Sequence, residues 1–248
     1  MQFFTVASFQ PLTFEGKPES SFLEVLALLK LNLSKGEWRA VEALRRPIDL
    51  RNIRALWLEQ PLDPRGNLSE KELEEALLTG AGLPEYLVDF LARYDTVPDR
   101  LRHFASLYAS LYRSEASGFI GRYYALEREL RLNLTALRAK REGRDVTREL
   151  QYEDPTDPLV ASILAQRDAA DYIPDDAEVG HLFRETEDDP LALYKAMLEL
   201  RFRRLEEMEL NRPFSMTQVL GYLARLLLVE LWLEANAKTG GDRLLGEV

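Results

Sequence analysis

Leucines and aromatic residues recur along this chain three and four positions apart, and that spacing constrains the fold more than any other feature. Phe22, Val25, Leu26, Leu29 and Leu33 form one stripe; Phe104, Leu107, Tyr108, Leu111 and Tyr112 form another. Tyr123, Leu126, Leu130, Leu134 and Leu137 make a third, and Leu191, Tyr194, Leu198, Phe202 and Leu205 a fourth. Residues so spaced share one face of an α-helix, which then has to be buried. Start signals agree with the stripes. Ser followed three residues later by Glu or Gln occurs at Ser21/Glu24, Ser34/Glu37, Ser69/Glu72 and Ser215/Gln218, each a capping box that satisfies orphan backbone donors. Pro84, Pro98 and Pro190 sit where a missing N–H is harmless, and Gly240-Gly241 can close the last helix.

These signals predict helices at 20–33, 35–45, 50–58, 70–79, 84–94, 98–114, 118–142, 158–170, 176–186, 190–211 and 216–238. Strand character is confined to 3–9, which reads equally as a helical turn. The expected fold is therefore all-α: an elongated multi-helix bundle, one domain over 1–248, with two related lobes at 1–95 and 96–248 as a finer division. The segment 219–233 is apolar on nearly every side, so other helices enclose it or a partner covers it. Arg225 and Glu230 interrupt it, and it is too short to span a bilayer unaided. The start of the chain has no basic region followed by a long apolar one, so it does not read as a signal peptide.

The 248 residues carry a net charge of −10, and its placement is uneven. Between 150 and 189 there are twelve acids and two bases, which equals the whole net charge. Just upstream, 122–149 holds eight bases and five acids. The acidic connector 150–189 reads either as a solvated segment facing the basic helix of its own chain or as a docking surface for a basic partner.

Several chemistries are excluded. With no Cys there is no disulfide framework, thiolate metal site or thiol nucleophile. His103 and His181 are the only histidines, and neither belongs to a nucleophile pattern, so each reads as a packed or surface residue. There is no phosphate-cradling Gly-Lys-Ser/Thr loop and no Gly-x-Ser-x-Gly elbow. Acidic doublets such as Asp175-Asp176, Asp188-Asp189 and Glu206-Glu207 read as solvated or first-turn charges. The acidic balance argues against nucleic acid as a partner. The chain is expected to be a non-catalytic cytoplasmic protein without metal or cofactor.

One echo runs along the chain. Asn52-Ile53-Arg54-Ala55-Leu56 and Asn133-Leu134-Thr135-Ala136-Leu137 share the pattern Asn, aliphatic, any, Ala, Leu. It reads as chance in a leucine-rich chain, or as two lobes in which an inward Asn ties its helix to a neighbouring connection.

The opening Phe3-Phe4-Thr5-Val6-Ala7-Ser8-Phe9-Gln10-Pro11-Leu12-Thr13-Phe14-Glu15-Gly16-Lys17 is followed in order by Asp49-Leu50-Arg51-Asn52 and Gly66-Asn67-Leu68-Ser69. After these come Leu83-Pro84-Glu85-Tyr86, Leu132-Asn133-Leu134 and Pro213-Phe214-Ser215 leading into Val219-Leu220-Gly221-Tyr222-Leu223. Together they resemble a family of uncharacterised bacterial proteins encoded among the genes of V-type (A/V-type) ATPases, in operons without the usual collar component. The 49–56 helix is also similar to the Asp-x-x-Asn-Leu-x-x-Leu helices repeated in that V-type ATPase collar component, known as C (d in eukaryotes). In the Asn133 copy, Leu130 stands where that pattern would need Asp. The resemblance implies a collar that seats the central stalk on the membrane ring, cytoplasmic and peripheral to the inner face of the membrane. Its partners would be the central-stalk and membrane-ring subunits. The alternatives are an ATPase assembly factor and, from a different class, a helical regulatory adaptor unrelated to the ATPase or an unrecognised enzyme. Candidate partner surfaces are Asp175, Asp176 and Glu178 on the acidic segment, with Arg225 and Trp232 on the apolar helix.

Overall fold

The computed structural model describes residues 9–114, 117–186, 189–210 and 214–237. Among them every regular element is a helix. In chain order these are α1 (Phe22–Asn32), α2 (Lys35–Trp57), α3 (Glu70–Thr79), α4 (Glu85–Arg93), α5 (Val97–Arg102) and α6 (Ala105–Arg113). Next come α7 (Gly118–Arg141), α8 (Val146–Glu149), α9 (Pro158–Ala165), α10 (Ala177–Glu185), α11 (Pro190–Glu209) and α12 (Met216–Ala237). The all-α expectation holds. Residues 3–8 of the ambiguous opening, and Gly240-Gly241, lie outside the described residues.

Three capping boxes form as read. Glu24, Glu37 and Glu72 accept the backbone N–H of Ser21, Ser34 and Ser69 respectively, at 2.7, 3.0 and 2.8 Å. The fourth is rearranged: the Gln218 side chain accepts the N–H of Phe214, at 2.8 Å.

Among the helix boundaries that differ from expectation, two show the tertiary reason plainly. The predicted 35–45 and 50–58 helices are one helix, α2, which runs through Pro47. Proline there removes the donor that the carbonyl four residues back would receive. That carbonyl is Ala43, and the buried Tyr124 hydroxyl donates to it at 2.7 Å, so the helix continues. Conversely, the predicted 98–114 helix is broken at His103 and Phe104 into α5 and α6. The break lets Phe104 bury and lets the His103 ring stack on Tyr94, centroids 4.3 Å apart.

The chain forms two compact units. One comprises Met1–Val41, Ser117–Tyr123 and Asp171–Val248; the other comprises Glu42–Ala116 and Tyr124–Ala170. This is not the sequential division at 95/96, because α2 and α7 each begin in one unit and end in the other, and the N-terminal segment belongs with the C-terminal helices.

In the first unit α12 is the central element. It is long and apolar enough to cross a membrane by length and composition alone. Nevertheless Val219 to Ala224 and Leu226 to Val229 are buried within the protein. Around it, Phe9 stacks on Tyr222 at 4.1 Å, and Glu230 accepts the N–H of Phe22 at the start of α1. Gly221 permits close approach of α11: a Cβ there would overlap the Glu209 side chain. In the second unit Leu44, Ile48, Ile53, Leu107, Leu111, Leu130 and Val160 are buried. An aromatic ladder runs beside them from Trp57 through Phe104, Tyr108 and Tyr112 to Tyr124, with successive centroids 5.7–6.1 Å apart.

Candidate functional site

The most highly organised polar region lies where α2 meets the connection that follows it. Asn52 is 2% exposed. It donates to the Asp63 carbonyl at 2.9 Å and accepts the Asp63 N–H at 2.8 Å, a two-point clasp that matches the peptide edge. One turn earlier Asp49 accepts both the backbone N–H and the side-chain amide of Asn67, each at 2.6 Å. One turn earlier still, Arg45 donates to the carbonyls of Arg65 and Gly66. Spacings of three and four place Arg45, Asp49 and Asn52 on one helix face, so a single face of α2 reads a stretch of loop backbone. Asp63 and Arg65 pair bidentately at 2.8 and 2.9 Å. Gly66 is required by contact rather than by dihedral angle: a Cβ would sit 2.5 Å from the Asn52 amide nitrogen and 3.1 Å from the Asp49 carboxylate.

The electrostatics follow from burial. The Asp49 carboxyl is pushed above the ordinary aspartate value by desolvation, against the hydrogen bonds of Asn67 and the charge of Arg45. Asp63 is held below its ordinary value: burial opposes this, but the hydrogen bonds and charge of Arg65 together outweigh it. Burial also pushes the neighbouring Tyr86 hydroxyl up to about 12. The landmarks 49–52 and 66–69, separate strings along the chain, meet here in one network.

Asn133 is placed differently. It is 1% exposed and donates to the Glu129 carbonyl one turn back in its own helix, at 3.0 Å. Both echo residues are inward, and Asn52 bridges to the connection that follows its helix.

The acidic connector divides between the two units, and much of it faces basic helices of its own chain. Glu153, with its side chain 2% exposed, accepts from Arg128 at 3.1 Å and from Arg131; Arg128 also reaches Asp157 at 3.1 Å. In the other unit Asp176 caps α10 through the Glu178 N–H, at 3.0 Å, and pairs with Arg204 at 3.1 Å. Glu178 pairs with Arg203 and Arg204, and the Arg203 hydrogen bond holds its carboxyl below the usual glutamate value. Asp175 is exposed at the start of α10. Asp188 lies outside the described residues.

Arg225 is corrected as a partner surface. Its side chain is 11% exposed, bonded to Glu209 at 2.7 and 3.0 Å, and its guanidinium lies 5.2 Å from the Phe202 ring. It belongs to the contact of α11 with α12, because an apolar helix can bury a cation only beside a carboxylate. Trp232 is half-buried, with its ring 5.6 Å from that of Phe14. His103 bonds through Nδ1 to the Tyr152 hydroxyl at 2.5 Å, and the exposed His181 pairs with Glu185 at 3.2 Å.

The periodicity missed one surface. The buried stripe of α1 is Phe22, Val25 and Leu29, but three of its other leucines face outward: Leu23, Leu28 and Leu31 are 44%, 40% and 85% exposed. The signal was present as a helix apolar on both faces.

Comparison with known proteins finds relatives among the chlamydiae. A Chlamydia muridarum protein is 28% identical over 92% of this chain and 90% of its own length. One from Chlamydia trachomatis is 28% identical over 91% and 89%, and one from Chlamydia pneumoniae 27% identical over 83% and 82%. All three bear the description "uncharacterized protein". No solved structure matches the chain. A family model described as "Protein of unknown function (DUF2764)" matches residues 1–246, and the chain belongs to that family.

Proposed function

We propose that this chain is a non-catalytic subunit or accessory protein of a bacterial V-type ATPase, acting as a collar of the C (eukaryotic d) type between the central rotor stalk and the membrane ring. The observation that carries the reading is the α2 clasp. The strings 49–52 and 66–69, which bear part of the resemblance, are the residues that lock a helix to its following connection. A collar has to transmit torque without yielding, and a buried, mutually bonded polar network is a stiff way to fix a loop on a helix. The role needs no cofactor. The chain would sit in the cytoplasm, at the inner face of the membrane through its complex. The exposed leucines of α1 are the surface best suited to a protein partner, since apolar side chains left wet are unfavourable.

The test is affinity capture of the full chain from its native host, followed by imaging of the captured ATPase. Stoichiometric presence at the central stalk is expected, and Leu23→Ser with Leu28→Ser and Leu31→Ser should abolish it while helicity is retained. Presence only on partly assembled subunits would make the protein an assembly factor, and absence from both would overturn the reading. The purified chain should neither hydrolyse nor saturably bind ATP, because its sequence holds no phosphate-cradling loop with Lys and a metal-binding hydroxyl. Turnover that survives rigorous purification would overturn the collar.

A further inference from the structure

A cavity of about 250 Å³ lies within the unit formed by Glu42–Ala116 and Tyr124–Ala170, lined by α4, α6 and the turn that carries Tyr152. It corresponds to roughly eight waters at about 30 Å³ each, the size of a small organic molecule. Part of its lining is apolar: Phe90 and Leu107 are buried, and Tyr94 packs on Phe90 with centroids 4.9 Å apart.

Its lining also carries two guanidinium groups. Arg93 and Arg113 are the last residues of α4 and α6, and both line this one cavity. Among the described residues neither forms an ion pair, in a chain where Arg65, Arg128, Arg131, Arg203, Arg204 and Arg225 all do. Helix C-termini favour cations, which accounts for each arginine singly but not for two helices delivering theirs to the same cavity. The Arg113 Nε donates to the Ala109 carbonyl at 3.0 Å, which steadies that guanidinium. Tyr152 is positioned by His103, and Ser110 adds a hydroxyl. Asp89 is the one acid in the lining, and Asp154, outside it, feels the charge of Arg113 from a distance. Within the lining, two positive charges face one negative. That balance suits a singly charged anion over a phosphate dianion.

We propose that this cavity is a binding site for a small monocarboxylate with a planar apolar body, its carboxylate held by Arg93 and Arg113 and its body against Phe90 and Tyr94. Guanidinium groups match carboxylate oxygens in geometry and charge. The site is independent of the ATPase reading.

Calorimetric titration of the full chain with phenylacetate, phenyl phosphate and benzyl alcohol tests it. Phenylacetate should bind with a dissociation constant below about 1 mM. Benzyl alcohol, of similar shape without the charge, should bind at least about tenfold more weakly, and so should phenylacetate to Arg93→Gln/Arg113→Gln, since a hydrogen bond to a charged group is worth that factor or more. Both arginines are exposed, so the double variant should keep the wild-type melting temperature, which checks that the fold is intact. No binding of phenylacetate, equal binding of benzyl alcohol, or undiminished binding to the folded double variant would overturn the proposal. Phenyl phosphate binding more tightly than phenylacetate would overturn the assignment to a monocarboxylate.

Discussion

The two compact units are held by different chemistries. The unit containing Asn52 fixes a connection to α2 through a buried polar network in which Arg45, Asp49, Asn52, Asp63 and Asn67 all bond to one another or to loop backbone. The unit containing α12 is organised around an apolar helix whose polar ties include Arg225 to Glu209 and Glu230 to the Phe22 N–H. Apolar burial is non-directional, worth about 1.5–3 kcal/mol per large side chain, and it leaves packing partners loosely specified. Hydrogen-bonded networks add less net stability but admit one arrangement. The Asn52 unit thus adds a directional network to its apolar core, whereas the α12 unit is specified more by buried area.

The largest expected effect separates the two glycines. Gly66→Ala would drive a methyl into the Asn52 amide and open the clasp, leaving several buried polar groups unpaired; about 3 kcal/mol or more is expected. Gly221→Ala meets the side chain of Glu209, which can shift only by loosening its pairing with Arg225, so roughly 1–3 kcal/mol is expected. Urea denaturation checks both, and a reversed order would show that the α11–α12 contact is the more rigid of the two.

Asn52→Ala removes both bonds to Asp63 and should destabilise by about 1–3 kcal/mol. Asn133→Ala removes a buried amide that donates to the Glu129 carbonyl and should likewise destabilise by about 1–3 kcal/mol. Both variants within about 0.5 kcal/mol of wild type would mean that neither inward amide holds the fold. Tyr124→Phe strips the hydroxyl that serves the Ala43 carbonyl opposite Pro47, with an expected cost of about 1–2 kcal/mol. Restoring the backbone donor with Pro47→Ala should reduce that cost; if it does not, the hydroxyl is not what lets α2 run through the proline.

A pH series distinguishes the buried acids. Asp49 and Glu209 are both raised by burial, with Arg225 opposing the shift at Glu209. A raised carboxyl binds its proton more tightly when folded, so its contribution to stability is greatest below the unfolded value and falls as pH rises toward the folded one. Asp63 has the opposite sign: its contribution is present above the ordinary value and is lost as pH falls through the depressed one. Asp49→Asn should therefore flatten the fall in stability just above pH 3.8, the ordinary aspartate value. An unchanged slope would mean that another acid carries it. The smallest effect should come from the exposed pair: Arg203→Gln is expected to cost about 0–1 kcal/mol, less at high salt.

Much of the helical framework was legible along the chain. The boxes at Ser21, Ser34 and Ser69 formed, and α3 spans the expected 70–79. These are local signals, set by side chains within three or four residues of each other. The failures were equally physical. Separate helices were expected at 35–45 and 50–58, but a hydroxyl from 81 residues away takes over the carbonyl that Pro47 leaves without a donor, and the helix runs on. The C-terminal half of the predicted 158–170 helix unwinds instead, with the carbonyls of Arg167 and Ala169 turned onto the Lys140 ammonium. Arg225 looked available because its neighbours in sequence are apolar, and only the packing of α11 put Glu209 beside it.

By itself the sequence determined that this protein is helical and where most of its helices begin, because capping and periodicity are properties of neighbouring residues. Tertiary structure alone decided which acids meet which arginines, that Asp49 and Asn67 share a network, that Asn52 clasps the connection after its helix, that α12 is buried by its own chain, and that Arg93 and Arg113 line one cavity. Those outcomes depend on which helix faces are brought together, and periodicity says that a face is buried without saying against what.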